Sequence, residues 1–99
     1  MAKFALAVPL QAKPGKEAEV AKFLASALPL AQAEAGTTSW FALQFGPDKF
    51  GIFDTFKDEA GRQAHLDGPI AAALMAKAGE LLAQPPTIDK VEILAAKMG

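Results

Sequence analysis

Cysteine, tyrosine and asparagine are absent from the 99 residues, and histidine and tryptophan occur once each. Without cysteine the chain has no disulfide, no thiolate nucleophile and no zinc site built on sulfur, which suits a reducing compartment. With one histidine, a metal site would have to be mostly carboxylate or shared between subunits, so no metal is expected. The glycines make no phosphate loop, and no serine stands in the Gly-x-Ser-x-Gly setting of a nucleophile elbow. No window approaches the roughly 20 apolar residues of a membrane span, and Met1 to Leu10 lacks the charged start and cleavage region of a signal peptide. The expected address is the cytoplasm, with no membrane partner. Ten basic residues against eleven acidic ones give a net charge of −1, so the basic field that nucleic acid requires is missing too.

What is present is an apolar fraction of 52% in a chain of single-domain length, residues 1–99, able to bury one core and helped by a partner subunit. The central stretch is Phe50 to Pro69. Phe50, Ile52, Asp54 and Phe56 alternate with Gly51, Phe53 and Thr55, a period-2 pattern apolar on both faces that predicts a strand covered on both sides. Asp58 is a plausible N-cap with Glu59 in the first turn, so a helical turn carrying Arg62 and His65 follows as far as Leu66. Gly68-Pro69 interrupts it and leads into a second helix over Ile70 to Ala83, with Ile70, Leu74, Ala78 and Leu81 as its buried stripe and Met75 and Leu82 beside it.

Upstream, Lys3 to Gln11 alternates as a strand with Phe4, Leu6, Val8 and Leu10 on one face. Lys13-Pro14-Gly15-Lys16 is turn chemistry. From Glu17 to Glu34, Val20, Phe23, Leu24, Ala27, Leu28 and Ala31 form one helical stripe. Pro29 should kink it and leave a short segment from Leu30 to Ala35, ended by Gly36. Thr37 to Phe45 is a strand with Trp40 and Ala42 on one face and Phe41, Leu43 and Phe45 on the other, joined to the central strand through Gly46-Pro47-Asp48-Lys49 as a hairpin. Gln84-Pro85-Pro86 stops the last helix, and Thr87 to Ala95 closes the chain as a strand.

This order predicts an α+β fold, a ferredoxin-like βαββαβ sandwich with helices on one face of an antiparallel sheet. The other face carries more aromatic surface than one helical layer covers, because the hairpin offers Trp40, Phe41, Leu43, Phe45, Phe50, Ile52, Phe53 and Phe56. A homodimer packed through the open sheet face is the simplest cover.

Three stretches, the opening strand with AKPGKEAEV, then EAGTTSWFAL, then FGIFDTFKDEAGRQAHLDGP through ALMAKAGELLA, resemble the antibiotic biosynthesis monooxygenase-like family of the dimeric α+β barrel superfamily, which includes small proteins assigned as quinol monooxygenases. The resemblance spans nearly the whole chain. It implies two sheets back to back in a homodimer, each subunit keeping a pocket between sheet and helices for a small aromatic molecule. In catalytic relatives that pocket holds a phenol or hydroquinone that reacts with molecular oxygen without flavin, haem or metal, so no cofactor is expected. Haem-degrading relatives use an asparagine that this chain lacks, which disfavours that activity, and the absent tyrosine removes a common phenol-recognition group.

Cofactor-free oxygenation needs a base for a phenolic proton, an apolar cavity and room for oxygen. His65, whose place resembles the family's histidine position, is the candidate base; as a structural residue it would instead cap a carbonyl near Gly68. Asp54 assists as the second catalytic candidate if its face is the pocket face; facing the partner, it would pair with Arg62 or a lysine. Arg62 is a candidate for an oxyanion or carboxylate, or else a solvated helix residue. Trp40, Phe41, Phe53 and Phe56 are candidates to line an aromatic pocket, with Leu74 and Met75 as its helix-side wall; the same residues suit a plain core. Two functions follow as alternatives: a monooxygenase acting on a quinol or polyphenol, and a non-catalytic, stress-associated or hydrophobic-ligand-binding dimer. A dimer whose pocket is filled by its own side chains is the third.

Overall fold

Alternating apolar residues build the sheet that the rest of the molecule rests on. The structure, a computed structural model, describes residues 3–98. Strand β1 (Phe4–Gln11) is followed by helices α1 (Glu17–Ser26) and α2 (Leu28–Gln32), strands β2 (Thr37–Gln44) and β3 (Lys49–Phe56), helices α3 (Glu59–Leu66) and α4 (Pro69–Leu81), and strand β4 (Asp89–Glu92). The sheet order is β2-β3-β1-β4, and every pairing is antiparallel. This is the expected ferredoxin-like α+β arrangement.

The register fixes which residues meet. Val8 lies opposite Ile52 and Leu10 opposite Phe50, while on the other side of β3 Trp40 lies opposite Asp54 and Ala42 opposite Ile52. Val8, Leu10, Phe50 and Ile52 join Val20, Leu24, Leu74 and Leu81 in the main core, which places this face under the helices. Alternation then sends Phe41, Leu43, Phe53 and Thr55 to the opposite face. There Phe41 is 51% exposed and Phe45, beyond the strand end, 70%.

Several boundaries differ from the pattern reading. The second helical segment is Leu28–Gln32 rather than Leu30–Ala35. The break falls at Ala27 because a proline ring at position 29 clashes with the carbonyl four residues earlier if α1 continues, whereas in the first turn of a new helix it is harmless. For the same reason α4 begins on Pro69 itself, and it ends at Leu81 rather than Ala83. Strand β4 is only Asp89–Glu92 rather than Thr87–Ala95. Ile93 N–H bonds to Lys3 O at 2.8 Å, so the residues of β1 that share a hydrogen-bonded pairing with Lys3 are Ala5, Ala7 and Pro9. Pro9 would face Thr87 and has no amide hydrogen to give, so the ladder stops there.

Candidate functional site

The last turn of α3 carries His65, and what brings it to a site is the way α3 is fixed. Asp58 caps the helix, its carboxylate accepting from Gly61 N–H at 2.7 Å. One turn further, Arg62 is buried; its guanidinium donates to Ala5 O and Val91 O, each at 3.3 Å, and lies 5.1 Å from the Phe4 ring centroid. It therefore ties α3 to β1 and β4 rather than lying solvated on the helix surface. On the other side, α3 touches the turn between α2 and β2 through two glycines. A Cβ on Gly36 would lie 2.7 Å from Gly61 Cα, and one on Gly61 would lie 2.9 Å from Gly36 O, so only glycine at both positions permits the approach.

That approach brings Glu34 within reach of the imidazole. His65 is 7% exposed, its Nδ1 is 2.7 Å from Glu34 Oε1, and its Nε2 is 3.1 Å from Asp54 Oδ2. Glu34 Oε1 also accepts from Thr37 Oγ1 at 2.7 Å. The Phe56 ring packs on the imidazole with centroids 5.3 Å apart. His65 thus bridges two carboxylates that sit on different elements, one after α2 and one in the middle of β3. They hold opposite nitrogens of the ring, so the three do not converge on one point as metal ligands would; among the described residues no cluster of three such side chains is placed to bind a metal.

Asp54 is 0% exposed, and burial pushes its carboxyl up to about 6, with the nearby imidazole opposing and Glu34 reinforcing the shift. The 3.1 Å approach of Nε2 is close but poorly directed, and both Asp54 oxygens are buried without a hydrogen-bond donor. Carboxylates only accept, so with both ionised each ring nitrogen must carry a proton. The cluster therefore places one imidazole between two carboxylates, the Asp54 carboxyl being held up by burial. Asp54 faces the helices and meets His65 rather than pairing with Arg62.

The other candidates are scattered around this cluster. Phe56 is in it, and Trp40 stands directly opposite Asp54. Leu74 is buried in the main core and borders a small apolar cavity of about 10 Å³ between β1, α1 and α4, room for about one water. Met75, expected as a wall, faces outward and is 55% exposed, since it is one residue past the buried stripe of α4. Phe41 and Phe53 line a cleft of about 590 Å³ on the opposite face of the sheet, with Thr38, Ser39 and Thr55, whose hydroxyls lie 2.5 and 2.6 Å from one another through Thr55. His65 and Asp54 line neither this cavity nor this cleft, nor the clefts at the α1–α4, β1–β3 and α2–β2 edges. Sequence reading missed Glu34 and the two glycines. The signal for them, E-x-G before one strand and a glycine four residues before the histidine, becomes meaningful only once the elements touch.

No protein-family model matches the chain, and no curated protein does. Solved structures do match. The protein NE2512 of unknown function from Nitrosomonas europaea is 70% identical, with a TM-score of 0.95, over 100% of this chain and 96% of that one. This chain belongs to the same family as NE2512. Like it, the more distant neighbours extend over nearly the whole chain. Rv0793 from Mycobacterium tuberculosis is 18% identical, with a TM-score of 0.84 over 97% and 99% of the two chains. A protein named "putative antibiotic biosynthesis monooxygenase", also from Nitrosomonas europaea, is 16% identical, with a TM-score of 0.82 over 93% and 99%. The NE2512 family and these neighbours share one fold, the antibiotic biosynthesis monooxygenase-like fold that the sequence motifs resemble.

Proposed function

We propose that this protein is a cofactor-independent monooxygenase acting on a quinol or related phenol, with the Glu34–His65–Asp54 cluster as its proton acceptor. The observation that carries the reading is the imidazole clamped between two carboxylates in a buried site, one of them holding its proton up to about pH 6. The names of two distant neighbours, each called a "putative antibiotic biosynthesis monooxygenase", support the reaction class.

In the reaction, a hydroquinone gives up a phenolic proton to the His65–Asp54 pair, and the electron-rich anion reacts with molecular oxygen. One oxygen atom enters the ring. The other leaves as water, taking up two hydrogens from the substrate, so that hydroquinone and O₂ become a hydroxyquinone and H₂O without an added reductant. Glu34, on Nδ1, fixes the ring orientation and leaves Nε2 to exchange the proton. The apolar surroundings of Phe56 and Trp40 raise the energy of the phenolate and favour its oxidation.

Packing of the open sheet face against a second copy belongs to the same reading, because Phe41, Leu43 and Phe45 form an exposed apolar strip there. A second reading, a non-catalytic binder of a hydrophobic aromatic, is favoured by the roomy cleft between Phe41 and Phe53, which lies on the face away from His65.

Oxygen uptake by metal-stripped protein over a panel of hydroquinones, with autoxidation subtracted, tests the proposal. The expected result is uptake that falls at least about 100-fold in His65→Ala, in line with the usual worth of a positioned base, while circular dichroism and assembly state persist. Saturable binding without uptake would transfer the protein to the binder reading.

A further inference from the structure

Thr37 holds the Glu34 carboxylate and takes no part in the chemistry proposed above. It opens β2 directly after a tight turn, where its amide donates to Glu34 O at 3.3 Å and its hydroxyl donates to Glu34 Oε1 at 2.7 Å. The same oxygen meets His65 Nδ1 at 2.7 Å. An ionised carboxylate only accepts, so Glu34 receives the hydroxyl and the ring N–H on one atom, and the two donors come from different elements of the fold. Among the described residues no other side chain or amide donates to that carboxylate. Its second oxygen lies beside Gly68, where an added Cβ would come within 3.6 Å of it.

The turn is fixed by its backbone without help from the hydroxyl. Glu34 N–H donates to Ala31 O at 3.1 Å, and Gly36 O accepts at 3.0 Å from Lys57 N–H, just past the end of β3. These bonds deliver residue 34 to the site and leave its side chain free to turn. A glutamate side chain has several rotatable bonds, and holding it still costs rotamer freedom. Thr37 is suited to hold it. Its branched Cβ makes it stiff at χ1, and the register sets it opposite Phe56, whose ring packs on His65. The hydroxyl therefore has a fixed direction beside the imidazole's own packing partner.

We propose that Thr37 is a positioning residue for His65: its hydroxyl pins the Glu34 carboxylate, and the pinned carboxylate keeps the ring proton on Nδ1 and Nε2 turned toward Asp54. This rests on the reading of the Glu34–His65–Asp54 cluster as the proton acceptor and adds the residue that holds the acceptor in register. Thr37 acts on the ring through Glu34, as the outer partner that sets which imidazole nitrogen carries the proton. The plain alternative is a strand residue chosen for its shape, since threonine suits a strand packed on Phe56. Substitution separates the two roles. Valine keeps the branch and loses the hydroxyl, whereas serine keeps the hydroxyl and loses the branch.

The chain has one histidine, so ¹⁵N-histidine labelling gives one pair of ring resonances. Parent, Thr37→Val and Thr37→Ser are compared by solvent exchange of the His65 Nδ1–H and by oxygen uptake with hydroquinone. The expected result is exchange about fivefold faster in Thr37→Val, the usual worth of one hydrogen bond. Its kcat falls by a similar factor with KM unchanged, and Thr37→Ser returns both values to those of the parent. Parent-like exchange in Thr37→Val overturns the proposal. So does a Thr37→Ser variant that exchanges as fast as Thr37→Val, because shape and not the hydroxyl then matters. Thr37→Ala against Thr37→Ser repeats the comparison at nearly equal volume if the valine variant does not fold, and equal exchange in that pair overturns the proposal as well. An Nδ1–H that responds to the hydroxyl in protein that consumes no oxygen keeps the positioning role and removes the oxygenase. Oxygen uptake with unchanged kcat in Thr37→Val keeps the oxygenase and removes the role.

Discussion

Asp54 is the residue whose chemistry departs furthest from its ordinary state. An exposed aspartate ionises near 3.8, and burial under the helices raises this one to about 6. For a group whose folded pKa lies above its unfolded one, the stabilising contribution is complete below about pH 3.8 and is lost as pH rises through about 6. A shift of some two units corresponds to about 3 kcal/mol at 1.36 kcal/mol per unit, and that is the cost of keeping the ionised carboxylate buried at neutral pH. Asp54→Asn removes the charge and keeps the shape. Urea denaturation should find it more stable than the parent at pH 8 by about 1–3 kcal/mol, the advantage disappearing toward pH 4. An advantage independent of pH would mean that the buried carboxylate is not the titrating group. The sequence made this acid conspicuous, a single charge in a strand otherwise made of aromatic and small residues. It left open which sheet face Asp54 takes, because both faces of β3 read as apolar, and only the pairing with Trp40 and the contact with His65 decide it.

The elements reach the site through α3 and the turn before β2. Gly36 and Gly61 touch backbone to backbone, and the added methyl of either substitution would meet atoms that cannot turn aside. Gly61→Ala should therefore lower stability by about 1–3 kcal/mol and separate Glu34 from His65. Thermal denaturation reads the first effect, and the second appears as loss of the His65 Nδ1–H resonance from its hydrogen-bonded position. If the variant melts with the parent, the close approach does not hold the cluster together. Most of the element order was legible, because alternation in the strands, the Asp58 cap and the Gly68-Pro69 break are local signals. The ends of α2 and β4 were less so. Pro29 was legible as a break, but whether it ends one helix or starts the next depends on the stacking of α2 beside β2. The late start of β4 depends on Pro9, which lies just past the last pairing, Ala7 with Asp89, and is remote from β4 in sequence. Glu34, remote from the histidine in sequence, was invisible for the same reason.

At the scale of the whole molecule, the open sheet face is the surface on which the proposed dimer rests. Helices cover one face of β2 and β3, while Phe41, Leu43 and Phe45 remain exposed on the other side of the hairpin. A self-complementary apolar strip of this kind is covered most simply by a two-fold copy. Light scattering should give twice the chain mass for the parent and the chain mass for Phe41→Glu, with circular dichroism unchanged. A monomeric parent would leave the face to a ligand and favour the binder reading. The helix-side cluster and the open face lie on opposite sides of one sheet, so loss of the dimer tests the assembly without touching Glu34, His65 or Asp54.

The central claim is that the protein inserts one atom of molecular oxygen into a phenolic ring. The most direct test is turnover of hydroquinone under ¹⁸O₂ with mass analysis of the product. The account predicts a hydroxyquinone carrying one labelled oxygen, formed by the parent and not by His65→Ala. Unlabelled benzoquinone accompanied by hydrogen peroxide, or no product above the protein-free control, would contradict it.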